Sequence, residues 1–172
     1  QRNLSTGEVE VQDSTIYHKT EYRERRNHYA IYSVNTKIDG FDTSRDAFLG
    51  AYRGADSPEA IENGKCTNSM ASGWSPIASH QVNVDLAAGE TKTFIFVLGY
   101  IENPEDEKWE SYGVINKTRA KEMLAKYQTD TQVEDAFAAL QAYWKQLLAR
   151  YTVASADEKV NRMVNTWNQY QC

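Results

Sequence analysis

The chain reads as a mainly β domain, an antiparallel sandwich, followed by helices, and three observations predict this. The first two-thirds of its 172 residues read as β, with a period of two clearest from Gln81 to Leu86. No helical pattern of about 10–15 residues separates the β runs, which argues against a parallel α/β sheet. After residue 112 the apolar spacing changes to three and four, the period of a helix.

Taken in order, Gly7 to Gln12 and Thr15 to Lys19 are strand-like runs joined by Asp13-Ser14, a tight turn. Tyr29 to Val34 is a third run, rich in β-formers, that stops before Asn35. The stretch from Asp39 to Ser79 is irregular and rich in Gly, Ser, Asn and Asp, with Phe48, Leu49, Ile61 and Trp74 as apolar anchors. Such stretches serve equally as binding loops or as cover for a sheet edge. Val82, Val84 and Leu86 alternate with Gln81, Asn83 and Asp85, which predicts a half-buried strand. Ala87-Ala88-Gly89-Glu90 then turns the chain into the run Thr93 to Leu98, apolar on both faces like a central strand. Together they predict a hairpin inside the sandwich.

The helices follow. Asn116 caps a segment through Tyr127 with Ala120, Met123, Leu124 and Tyr127 on one face. Thr131-Gln132-Val133-Glu134 has the spacing of a capping box. Behind it Val133, Phe137, Leu140, Trp144, Leu147 and Tyr151 form an amphipathic stripe expected to pack in the core. Ser155-Ala156-Asp157-Glu158 repeats the box, and Val160, Met163, Val164 and Trp167 begin another stripe. The chain does not open with Met and stops inside this pattern, so an excerpt of a longer protein is expected.

Composition narrows the function. The net charge of −5 divides into −7 over residues 1–112 and +2 over residues 113–172. An acidic body repels a phosphate backbone, which argues against general nucleic-acid binding. The one basic cluster, Arg23, Arg25 and Arg26 beside His28, is interrupted by Glu21 and Glu24 and reads as a solvated turn. The longest apolar run, Phe94 to Leu98, is far short of a membrane span. Cys66 and Cys172 lie far apart, which suits a reducing cytosol and a cytoplasmic protein.

No catalytic motif stands out. The sequence has no phosphate-binding glycine loop and no Gly-x-Ser-x-Gly elbow. His18, His28 and His80 are too widely spaced for a metal site, so no metal is expected. Asp42 and Asp46 flank Arg45, which reads first as a local ion pair fixing a loop and second as a substrate contact. Trp144 and Trp167 sit on apolar stripes, leaving Trp74 and Trp109 as the tryptophans able to stack on a sugar. A stand-alone carbohydrate-binding sandwich and a dimerisation scaffold both remain open on these residues.

Longer runs carry a resemblance. Tyr17-His18-Lys19-Thr20-Glu21-Tyr22-Arg23-Glu24-Arg25-Arg26-Asn27-His28-Tyr29-Ala30, Phe41 to Gly50, and Trp74-Ser75-Pro76-Ile77-Ala78-Ser79-His80 resemble the cellobiose phosphorylases, inverting disaccharide phosphorylases of glycoside hydrolase family 94. So do Gly113-Val114-Ile115-Asn116-Lys117 and the end, Asn161 to Asn165 and Trp167 to Cys172. The similarity covers essentially the whole chain. It implies that residues 1–112 are the later part of a galactose-mutarotase-like antiparallel β-supersandwich. Residues 113–172 would then be a helical linker leading to an (α/α)₆ barrel not contained here.

The reaction so implied is reversible: cellobiose and phosphate give α-D-glucose 1-phosphate and glucose, with inversion. A carboxylic acid protonates the glycosidic oxygen while phosphate attacks the opposite face. No cofactor is expected, phosphate being a substrate. The general-acid Asp is expected in the barrel, after Cys172, so no catalytic residue is assigned here. The resemblance further implies a homodimer in which Gln1 and Arg2 reach the neighbouring subunit's active-site mouth and bind substrate there. An ordinary exposed loop is the competing reading of those two residues.

Overall fold

The structure is a computed structural model. It describes residues 8–19, 27–73, 75–168 and 171, which fall into two compact units, one up to Asp130 and one from Thr131.

In the first unit, strands β1 (Glu8–Gln12) and β2 (Thr15–Lys19) form the expected hairpin, with Asp13 at positive φ in the turn. β3 (His28–Val34) pairs antiparallel with β2. The sheet closes with β6 (Phe96–Glu102), giving the order β1-β2-β3-β6. Register places Tyr17, Tyr29, Ile31, Val97 and Ile101 on one face. There they make a core with Ile115, Ala120 and Leu124, the last two from helix α3 (Thr118–Leu124). Gly99 permits that approach: a Cβ there would lie 2.5 Å from Met123 Cε and 3.0 Å from Ile31 Cγ1.

The other face of the sheet is covered in part by a second layer. β4 (Gly40–Ser44) and β5 (Pro76–Gln81) pair antiparallel. Val9 and Ile16 pack against Ala71, with Val11 and Phe41 beside them. The stretch read as irregular thus contains two strands and two short helices, α1 (Arg45–Leu49) and α2 (Glu59–Glu62). Of its expected anchors, Ile61 is exposed. A small hairpin of β7 (Trp109–Ser111) and β8 (Val114–Ile115) precedes α3. The expected Asn116 cap is corrected: the N-cap of α3 is Lys117, without a side-chain bond, and Asn116, one residue earlier, accepts from the Thr118 N–H at 3.0 Å.

The predicted hairpin over residues 82–98 is corrected. Its turn forms, with Glu90 N–H donating to Ala87 C=O at 3.0 Å and Gly89 at positive φ. Its arms form no ladder, and residues 82–95 lie outside every strand. β6 starts only at Phe96 and, among the described residues, is an outer strand and not a central one. Alternation makes a segment able to pair. A partner edge and a face to bury against are still needed.

In the second unit, α4 (Asp130–Leu148) starts before the Thr131 box, so that box does not form its cap. α5 (Glu158–Arg162) continues as a π-helical turn, Met163–Trp167. Its cap is Asp157, which accepts from the Lys159 N–H at 2.8 Å, and not Ser155. Asn161 and Asn165 instead hold the preceding loop, each accepting from and donating to its backbone, at Ser155 and Val153 respectively. The amphipathic stripe of α4 is present but not buried: Trp144 is 48% exposed, and Phe137, Leu140 and Leu147 are exposed too. Trp167, also expected in the core, is exposed. Periodicity fixes which side chains share a helix face and not what covers that face.

Candidate functional site

The densest chemistry in the first unit is a buried knot of charge beneath the β7–β8 hairpin. Lys19 sits on the inward parity of β2, with Thr15 and Tyr17, and is only 4% exposed. A buried ammonium must be paired and hydrogen-bonded. Its Nζ lies 3.0 Å from Glu10 Oε1 and 3.1 Å from Glu8 Oε2, and it donates to the Gly113 carbonyl at 2.8 Å. Lys117, 3% exposed, reaches Glu10 from another side. Its Nζ lies 2.7 Å from Glu10 Oε2 and 3.3 Å from Glu110 Oε1, and it donates to the Ile115 carbonyl at 2.9 Å. The Ile115 N–H donates to Glu10 Oε1 at 2.9 Å.

Glu10 is therefore the hub. Burial works to raise its carboxyl, but the bonds from Lys117, Ile115 and Lys19 outweigh that and hold it below the usual range. Burial likewise works to lower Lys19, and Glu10 and Glu8 reverse the direction. Trp109 roofs the knot. Its ring centroid lies 4.2 Å from Lys108 Nζ and 5.6 Å from Lys19 Nζ. The ring is 39% exposed, yet its π-system is engaged by cations, which competes with stacking on a sugar. The knot joins β1, β2, the hairpin and the start of α3. Both its ammonium groups and its hub carboxylate are paired with opposite charges and backbone groups.

Asp42 is a second saturated carboxylate, fully buried on β4. It accepts from the Thr67 N–H at 3.1 Å, Thr67 Oγ1 at 2.6 Å, the Ser69 N–H at 3.0 Å and Ser69 Oγ at 2.7 Å. Burial raises its carboxyl and these hydrogen bonds lower it, with a net downward shift. The expected local pairing of Asp42 with Arg45 is corrected: its partners stand some 25 residues further on. Beside it Cys66 is a buried free thiol, pushed up by that burial and by the Asp42 charge. On β5, His80 stacks on Tyr32 with centroids 4.9 Å apart, and burial pulls its ring towards the neutral form.

The sequence-predicted site residues fare unevenly. Gln1, Arg2 and Trp74 lie outside the described residues, as do Arg23, Arg25, Arg26 and Cys172. Trp109 is at the surface, but over buried cations. His28 is buried at the end of β3, with Nε2 3.5 Å from Glu102 Oε1. Among the described residues no group of three or more His, Cys, Asp or Glu is arranged to hold a metal ion. No helix among them is long and apolar enough to cross a membrane. Sequence reading missed the Glu10 knot, though a signal was present. Lys19 stands at the parity of Tyr17 and Thr15, where a buried face wants an apolar residue. A charge there points to a partner.

Comparison with known proteins gives these elements a family. Residues 1–130 match the supersandwich domain of Glycosyl hydrolase 94, and residues 143–172 match the catalytic domain of the Glycosyl hydrolase 94 superfamily. The N,N'-diacetylchitobiose phosphorylase of Vibrio furnissii is 32% identical over 133 residues, 77% of this chain and 15% of that protein. The solabiose phosphorylase of Paenibacillus borealis is 27% identical over 139 residues, 81% of this chain and 16% of that protein. The cyclic beta-(1,2)-glucan synthase NdvB of Rhizobium meliloti is 27% identical over 143 residues, 83% of this chain and 5% of that protein. The chain thus spans about a sixth or less of the length of these relatives. With antiparallel sheets first and helices last, and a family match over its first 130 residues, the chain belongs to glycosyl hydrolase family 94 and carries that family's supersandwich domain.

Proposed function

We propose that this chain is the non-catalytic scaffold of an inverting disaccharide phosphorylase that splits cellobiose reversibly into α-D-glucose 1-phosphate and glucose. The observation that carries the reading is the paired family match, supersandwich then catalytic domain, beside phosphorylases among the relatives. The choice of cellobiose rests on the sequence runs quoted above. The whole protein works as a cytoplasmic homodimer without a cofactor, residues 113–172 leading into the barrel. The general-acid Asp lies beyond Cys172, and inorganic phosphate takes the place of the water that an inverting hydrolase activates. The saturated state of Glu10 and Asp42 supports a scaffold role for the part described here. Both are ionised and fully bonded, and a general acid needs a proton to give and access to the substrate.

Two measurements test this. The whole protein is incubated with phosphate and either cellobiose or N,N'-diacetylchitobiose, and sugar 1-phosphate is followed. Phosphate-dependent release of glucose 1-phosphate from cellobiose is expected. Preference for the acetylated sugar would replace the substrate, and phosphate-independent hydrolysis would overturn the reaction class. The 172-residue chain alone should release none, and turnover by it would end the scaffold reading.

A further inference from the structure

The chain has three histidines, and all of them belong to the face of the main sheet that the β4–β5 layer covers in part. Register puts His18, His28 and Tyr32 on that face, and His80 comes to it from β5. His80 is the one that joins the layers. Its ring lies nearly parallel to that of Tyr32, 19° apart with centroids at 4.9 Å. Tyr32 lies in turn against Phe96, 16° apart at 5.9 Å. Beside this stack the layers meet through apolar side chains, Pro76 and Ala78 of β5 lining one cavity with Ile16, Ala30 and Leu98. Both ring nitrogens of His80 are shut off from solvent, and neither has a hydrogen-bond partner among the described residues. A neutral imidazole is tolerated there. An imidazolium would bring a charge and two N–H donors with no acceptor in reach.

The other titratable groups on this face are Tyr32 and His28 of β3, His18 of β2, and Tyr100 and Glu102 of β6. Glu102 is taken up by His28, 3.5 Å from its Nε2, four residues along β3 from Tyr32. β1 offers only Val9 and Val11 to this face. Across the β4–β5 ladder His80 stands opposite Phe41. The carboxylate just ahead of β4, Asp39, is exposed and accepts from the Asn83 N–H at 2.7 Å.

We infer that His80 is a proton-operated latch between the two layers. Neutral, it closes the β4–β5 layer onto Tyr32; protonated, it lets that layer come away while the main sheet stays folded. The main sheet keeps its own core on the opposite face, with Tyr17, Tyr29, Ile31 and Ile101 and no histidine in it. The second layer is held by the smaller cluster of Val9, Ile16 and Ala71 and by the stack. The weaker contact thus contains the titrating ring. Burial holds His80 below its ordinary value of 6.5, so its contribution is complete above that pH. It is lost as pH falls from there towards the lower folded value. Asp42, on the other face of β4, gives up its contribution only below 3.8, so the two events fall in separate windows. The inference concerns the first unit alone and does not depend on which disaccharide is split.

The test uses the whole protein. Amide hydrogen exchange, corrected for the intrinsic rate at each pH, is followed in peptides of β3, β4 and β5. Between about pH 7.5 and about pH 5, protection of β4 and β5 should fall about 3- to 30-fold, the upper figure being the most that one proton can contribute below 6.5. β3 should keep its protection. In His80→Phe, which keeps a ring in the stack and takes up no proton, the fall should disappear. Unchanged protection in the unmodified protein would overturn the inference. A fall that persists in His80→Phe also overturns it, since His18 or His28 would then be the group. Equal loss in β3 means unfolding of the whole unit, and a fall well above the one-proton limit means several groups; either ends the latch. If His80→Phe does not fold, His80→Gln takes its place with the same expectation.

Discussion

At the scale of residues, two multiply bonded carboxylates, Asp42 and Glu10, offer the sharpest stability tests in the first unit. Asp42→Ala removes the buried acceptor shared by four donors of Thr67 and Ser69, which themselves lie partly exposed. The expected cost is about 3 kcal/mol, read from urea unfolding, since each orphaned buried donor costs about 1–3 kcal/mol and water relieves some of them. Because the folded carboxyl sits below its ordinary value of 3.8, its contribution is complete above that pH and is lost as pH falls through the lower folded value. Asp42→Asn should therefore be less stable near neutrality and flatter on acidification. Glu10→Ala leaves Lys19 and Lys117 buried with much of their countercharge gone, for about 3–5 kcal/mol. Replacing Glu10, Lys19 and Lys117 together by Leu, Met and Met should cost far less than that single change. If it costs more, the knot contributes net stability and is not merely a set of mutually dependent charges.

At the scale of elements, the contact between β6 and α3 depends on one glycine. Gly99→Val drives its side chain towards Met123 Cε and Ile31. Overpacking of this kind costs about 1–3 kcal/mol. Met123→Ala in the same chain should recover part of that loss, and a double-mutant cycle in urea measures the coupling. An additive pair would mean that Met123 already moves aside. Strands β1, β2 and β3 were legible in the sequence because each pairs with a sequence neighbour, and helix α3 because its own apolar spacing marks its buried face. β2 pairs with its neighbours in sequence, and Ala120 and Leu124 meet Tyr29 and Ile31 in the same core. The runs 81–86 and 93–98 had an equally clear pattern, yet residues 82–95 form no strand and only Phe96–Leu98 of the second run joins β6.

At the scale of the whole molecule, the proposed dimer would bring parts of two subunits to one active site. Arg2 tests that proposal in the full-length protein. If Arg2 lends a charge-assisted hydrogen bond to the neighbouring active site, Arg2→Ala removes about 1.5–3 kcal/mol, and kcat/KM for cellobiose falls about 10- to 150-fold with the fold intact. A heterodimer pairing an Arg2→Ala subunit with one lacking the general acid separates the two geometries. Full rate per intact acid site means that Arg2 acts across the dimer, and low activity means that it acts within its own subunit. Unchanged kinetics in the Arg2→Ala homodimer would remove Arg2 from the site.

By itself the sequence determined strands β1 to β3 and helix α3, that strands precede helices, the change of period after residue 112, and the family. Those features depend on alternation, on spacing and on long runs of matched residues, all of which are local. Only the tertiary structure decided that Asp42 bonds to Thr67 and Ser69, that Lys19 and Lys117 share Glu10, and that Trp109 roofs buried ammonium groups. It also decided that Trp144 and Leu98 stand exposed. A hydrogen-bond partner some 25 to 100 residues away is set by how layers stack, and no local period encodes that. Exposure depends on what covers a face, and the covering chain need not be near in sequence.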